Sequence, residues 1–298
     1  MLKIKNIKFI IFLFLGIFLF KWVYDFFGGI EALDLINKKK SKLYLLVLAH
    51  IPTLYFDALT WFVLLKKKSI SFFWSLIITW IAQTSGKFFP TGNVTGEFVR
   101  IYLGIKKGLS PHEASSTVFA DLILATFSLF IIGLFSFFLV IFKDSSLIDS
   151  NYSHYIYISL ITIFFGCIFF YSIIKRRLLR HFIRKYNSIF NIKLDKKTIL
   201  FFIKLDISLY SLNKRKGTVL KALLFRLIGW LAGAFEIYVF LLIMDVHVSI
   251  VDVILIESFT GIIRAIAFFV PAGIGIQELA FVVIGNYVGL SPSVAFSV

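Results

Sequence analysis

The chain has 298 residues, 59% of them hydrophobic, with a mean hydropathy of +0.91, well above the roughly 45–50% apolar usage of a soluble domain. Its 32 Lys and Arg against 16 Asp and Glu leave a formal charge of +16. A water-soluble core is excluded. Because the basic residues gather in short loops between apolar runs, where anionic lipid surfaces attract them, the charge points to a membrane rather than to nucleic acid.

A bilayer core of ~30 Å needs about 20 apolar residues to cross it. Runs of that kind lie at 7–27, 43–65, 116–142, 155–174 and 219–244. The first begins like a signal peptide, with Lys3, Lys5 and Lys8 before Phe9 to Phe20, but no small-residue cleavage site follows and Trp22, Tyr24 and Phe26 continue it, so an uncleaved helix is expected. The regions 70–107 and 250–290 are equally apolar yet interrupted near their middles by Pro and Gly, which predicts broken or re-entrant helices. Residues 198–213 mix apolar residues with Lys204 and Asp206, a pattern for a helix lying on the cytoplasmic interface, an ordinary loop helix being the alternative. The predicted fold class is all-α, a polytopic transmembrane helical bundle forming one integral membrane domain over 1–298.

Orientation follows from the loops. The basic stretch 175–185 belongs on the cytoplasmic side, and 144–154, which has no Lys or Arg, on the other. Counting spans back places the amino terminus inside, in the cytoplasmic membrane. Lys38 to Lys40 and Lys42 then fall outside, against the positive-inside tendency. Cys167 is the sole cysteine and lies in an apolar run, where packing is its expected role, and His50, His112, His154, His181 and His247 lack the spacing of a helical zinc site. No metal and no cofactor are expected.

The most informative signal is internal. Residues 88–114 align without a gap on 269–295, and Pro90, Gly92, Glu97, Gly104, Gly108, Leu109, Ser110, Pro111 and Ala114 recur 181 positions later as Pro271, Gly273, Glu278, Gly285, Gly289, Leu290, Ser291, Pro292 and Ala295. Nine identities in the 25 positions from Pro90 to Ala114 argue a duplication, with hairpin regions at 70–114 and 250–295. Three predicted spans separate the copies. An odd number of crossings makes the repeats inverted, an arrangement in which transporters alternate the exposure of a central site.

At each break proline removes a backbone donor and glycine permits dihedrals that other residues avoid. The helix-breaking set is Pro90, Gly92 and Gly96 in the first copy and Pro271, Gly273 and Gly275 in the second. Half-helices starting near Thr95 and Ile276 would point their positive ends inward, where a phosphate can be held. Glu97 and Glu278 need a partner at that depth, and Arg100 and Arg264 are the natural ones. Either these four residues handle a lipid headgroup and its charge, or the glutamates cap their half-helices, or both. Asp121, Glu257 and Asn93 are second-rank candidates, while Asp57 and Glu236 read as helix-pairing groups and Arg226 as a side chain snorkelling to the interface.

Those residues resemble the flippase-like membrane region associated with lysylphosphatidylglycerol synthases: Pro90 followed by Gly96, Glu97 and Arg100 in the first half, and Pro271, Gly273, Gly275 and Glu278 in the second. The resemblance covers nearly the whole chain. It implies a polytopic helical fold that moves aminoacylated phospholipids or related polyprenyl-linked lipids, with membrane lipids as partners and self-association compatible with it. The soluble transferase domain of the bifunctional synthases does not follow, so lysine transfer from tRNA is not expected, and a transporter is favoured over an enzyme. Members often carry an arginine shortly before the acid matching Asp121. Here Val118 and Phe119 stand in that stretch, which leaves Asp121 expected to lack that partner. The second GLSP is followed by only a few residues, whereas the first runs on into a spanning helix, so a final helix is expected to be missing here, either because the sequence is cut short or because the element has been lost. The competing readings are a membrane-embedded transferase acting on a lipid phosphate, which needs a donor-binding loop, and a non-catalytic subunit of an envelope-lipid pathway.

Overall fold

The computed structural model describes residues 2–66, 70–88, 93–143, 157–158, 161–162, 164–166, 168–169, 171–172, 196–267, 270 and 273–298. Among these the regular structure is helical throughout, as the apolar periodicity requires. The elements are α1 (Leu2–Phe26), α2 (Gly29–Lys39), α3 (Tyr44–Leu64), α4 (Phe72–Phe88), α5 (Asn93–Lys106), α6 (Pro111–Lys143), α7 (Lys196–Lys214), α8 (Lys216–Ile243), α9 (Ile250–Ile266), α10 (Ile276–Tyr287) and α11 (Pro292–Ser297).

Three described helices are long and apolar enough to cross a membrane: Tyr44–Leu64, Pro111–Leu139 and Lys216–Ile243. They match the expected spans at 43–65, 116–142 and 219–244. The first pair departs from expectation. The segment anticipated as a loop after residue 27 is helical, and α1 turns into α2 through a bend of 79° at Gly28, whose φ of 79° only glycine adopts without strain. The described positions of the expected span at 155–174 are helical. The stretches that set orientation, 144–154 and 175–185, lie outside the described residues, as do Cys167, Pro90, Gly92 and Pro271.

Lipid-facing surface is visible on α1, where Phe14, Phe18, Trp22 and Phe26, spaced one turn apart, are all exposed. A contiguous apolar face of this kind has no place in water. The described interior holds several separate apolar clusters. Trp61, Ile78, Leu109, Ala114 and Val118 pack around the first hairpin region. Val23, Leu241, Val253, Ile256, Val282 and Ala295 pack around the second. The helix predicted to lie on the interface, α7, is held to α6 and α8 by Leu205, Leu209 and Leu212 against Ala120, Leu124 and Ala222.

Both interrupted regions are helical hairpins. In the first, α4 and α5 fold back so closely that a Cβ on Gly96 would sit 2.4 Å from the Ala82 carbonyl oxygen. The second pairs α9 with α10. Its tip rests on α1, where a Cβ on Gly275 would lie 2.6 Å from the Gly16 carbonyl oxygen, and Gly275 itself has φ 81°.

The recurring GLSP segment folds the same way in both places. α5 ends when the Leu109 amide donates to the Gly104 carbonyl at 3.0 Å and the Gly108 amide to Ile105 at 3.0 Å; α10 ends with Leu290 to Gly285 at 2.8 Å and Gly289 to Asn286 at 3.1 Å. Each is a Schellman motif with glycine at positive φ, 106° at Gly108 and 89° at Gly289. The next helix starts under a serine cap in both copies, Ser110 accepting from the Glu113 amide at 3.3 Å and Ser291 from the Val294 amide at 3.4 Å.

Candidate functional site

The first hairpin carries a buried network of charge. α5 starts at Asn93, two residues before the predicted position, and presents Glu97 and Arg100 one turn apart. The Arg100 guanidinium donates to the Asp121 carboxylate on α6 at 2.6 Å and stands 3.4 Å from Glu97, with Trp61 beneath its plane at 5.7 Å. Charge assistance and the aromatic face both suit a guanidinium removed from water. Only 6% of the Arg100 side chain and 2% of that of Asp121 are exposed.

Arg226 of α8 completes the network from the other side. It donates to Asp57 of α3 at 2.5 Å and to the second oxygen of Asp121. It does not snorkel: its side chain is buried because α8 packs antiparallel on α3, which brings Asp57 to it, and against α6, which brings Asp121. Asp121 is likewise doubly paired, although the position expected to supply its arginine holds Val118 and Phe119; Arg100 and Arg226 do so from two other helices. Gln83 of α4 donates to the remaining Asp57 oxygen at 2.7 Å. Five helices, α3, α4, α5, α6 and α8, thus meet at this cluster.

Room for these carboxylates comes from glycine. A Cβ on Gly229 would lie 3.2 Å from Asp57, and one on Gly233, a turn further along α8, 3.0 Å from Glu257 on α9. Sequence reasoning missed Gly229, Gly233 and the buried role of Arg226. The signal was present as a G-x-x-x-G spacing in an apolar run, which marks a face where helices approach closely.

The second hairpin is built differently. Glu278, the repeat partner of Glu97, accepts a hydrogen bond from the Gly275 amide at 2.7 Å and so caps α10. The capping alternative describes Glu278. Arg264 does not reach it; it stands 3.8 Å from Glu257 and 3.4 Å from the Gln277 amide oxygen. Gly273, with φ 68°, leads into the tip. On the α3–α8 face His50 and Glu236 are joined at 2.8 Å, which makes Glu236 the helix-pairing group expected. Asn93 opens α5, and its side chain lies outside the description.

Residues 7–298 match the family model described as the lysylphosphatidylglycerol synthase TM region. Among curated proteins and solved structures nothing matches the chain. With the match covering all but the first six residues, the chain belongs to the lysylphosphatidylglycerol synthase TM region family, and it is a helical membrane protein.

Proposed function

We propose that this protein is a flippase-like lipid translocase that moves an anionic or aminoacylated phospholipid, or a related lipid-linked headgroup, across the cytoplasmic membrane. The observation that carries the reading is the cluster of Glu97, Arg100, Asp121, Arg226 and Asp57 buried beside the break of the first hairpin. Charges at that depth are costly, and membrane proteins keep them chiefly along pathways for substrate or ions. Family membership favours lipid chemistry, and the twice-used GLSP turn supports the duplication from which alternating access is built.

In this reading the hairpin regions 70–114 and 250–295 enter from opposite faces, with the amino terminus in the cytoplasm. Arg100 and Arg264 attract headgroup phosphate. Arg264 is the more available of the two, with 37% of its side chain exposed. Glu97, Asp121 and Glu257 balance charge as the headgroup passes, while Glu278 holds the half-helix that Gly273 and Gly275 introduce.

The test is leaflet exchange of labelled anionic phospholipids, aminoacylated phospholipids and polyprenyl phosphate in liposomes carrying the purified protein. Exchange of one class that is lost in Glu97→Gln supports the reading. No exchange across the panel overturns it for these lipids and moves a transferase or a scaffolding subunit ahead.

A further inference from the structure

The central cluster has unequal charge. Three carboxylates, Asp57, Glu97 and Asp121, share two guanidiniums, Arg100 and Arg226. Asp121 contacts both arginines and Asp57 contacts Arg226. Glu97 is left with the longest contact, 3.4 Å, and its Oε2 is buried with no hydrogen-bond partner among the described residues. An excess negative charge with a buried, unsatisfied carboxylate oxygen is balanced when one proton binds.

A line of polar groups leads toward the cluster on α3. His50, Thr53 and Asp57 fall at i, i+3 and i+7, one face of the helix, over about 10.5 Å at 1.5 Å per residue. His50 and its partner Glu236 each expose 34% of their side chains, so this end opens on the surface of the helix bundle. Thr53 Oγ1, between them, is buried and unpartnered, as are Gln83 Oε1 beside Asp57 and Thr79 Oγ1 one turn before Gln83. Such atoms in a polar interior are normally joined by ordered water, which conducts protons. The charged groups facing His50 are Glu236 of α8, Asp57 of its own helix and Lys87 of α4. Those facing Glu97 are Arg100 of α5, Asp121 of α6, Arg226 of α8 and Asp57 of α3, with Gln83 as the polar group nearby on α4.

We propose that the cluster binds one exchangeable proton on Glu97, delivered from the His50–Glu236 pair along the Thr53 face of α3. The step is proton transfer alone: the His50 imidazolium releases a proton and regains one from the aqueous face, and the Glu97 carboxylate gains one O–H bond. The inference rests on the translocase reading only in naming the proton as the coupling ion.

The experiment is infrared difference spectroscopy of the full chain in lipid vesicles, which reads carboxyl protonation without any transport step. A protonated-carboxyl band is expected at neutral pH, lost in Glu97→Gln, shifted in Glu97→Asp and unchanged in Glu278→Gln. Thr53→Val is expected to slow hydrogen–deuterium exchange of that band on the order of tenfold. The proposal is overturned by the absence of the band in the unmodified protein, by its survival in Glu97→Gln, or by exchange that neither Thr53→Val nor His50→Gln slows. A band without lipid exchange supports the proton site and counts against the translocase. Lipid exchange without a band overturns the proton site alone.

Discussion

Arg226 of α8 bridges Asp57 of α3 and Asp121 of α6, so one guanidinium ties together three helices that are far apart in sequence. Two carboxylates buried at the same point repel one another unless a cation lies between them. The planar fork of arginine reaches both, which a single ammonium cannot do with the same geometry. The contact is therefore a joint of the fold as much as part of the site.

Arg226→Met leaves Asp57 and Asp121 with one guanidinium between them and is expected to destabilise the protein by about 3–5 kcal/mol. Arg226→Lys should recover only part of that loss. Asp57→Asn combined with Arg226→Met should recover more, because it removes one of the stranded charges. Thermal unfolding in detergent, followed by the helical circular dichroism signal, checks the series.

Gly96→Ala drives a Cβ against the Ala82 carbonyl, backbone that cannot rotate away. The α4–α5 hairpin has to open, at a cost of about 1–3 kcal/mol for overpacking a filled contact. Gly217→Ala, also helical but with open space around its Cβ, serves as the control and is expected to be neutral or slightly stabilising. Unfolding midpoints of the two variants in one detergent decide the matter.

The duplicated turn makes a prediction in pairs. Around Gly108 and Gly289 nothing lies within reach of an added Cβ, so alanine there meets only the positive φ. Gly108→Ala and Gly289→Ala should each cost about 1–2 kcal/mol and should agree with one another. A large difference between the two midpoints would mean that the equal turns carry unequal loads.

Asp245 ends α8 in the left-handed region, φ 59°, and the Lys39 ammonium beside it holds its carboxyl below the ordinary aspartate range. A depressed folded value means that the pairing stabilises the protein above the unfolded carboxylate's pKa, ~3.9, and that this is lost as pH falls through the lower folded value. Asp245→Asn keeps a residue that tolerates this backbone and removes the charge. Its unfolding midpoint should lie slightly below that of the unmodified protein at pH 6 to 7 and converge with it in strong acid, the two pH values being chosen as about two units or more above that pKa.

Local chemistry made much of this protein legible in one dimension. Runs of apolar residues determine helices that cross lipid, since no other single segment satisfies its own backbone there. The recurrence of Gly108, Leu109, Ser110 and Pro111 at 289–292 determines the same Schellman turn and serine cap twice, because each depends only on residues within a few positions. The family resemblance was legible for the same reason, in Gly96, Glu97 and Arg100 and in Gly273, Gly275 and Glu278.

What tertiary structure alone decided is which charge meets which. Glu97 and Glu278 occupy equal places in the repeat, yet one faces Arg100 while the other caps the Gly275 amide. Arg226 looked free to reach the interface until the antiparallel packing of α3 on α8 brought Asp57 to it, and Asp121 looked partnerless until Arg100 and Arg226 converged from separate helices. Glycine spacing at 229 and 233 announced a close helix contact but not the carboxylates that fill it. Hydropathy acts along the chain and can be summed from sequence. A buried ion pair is formed by groups far apart in sequence, and its geometry exists only once the helices that carry them have packed.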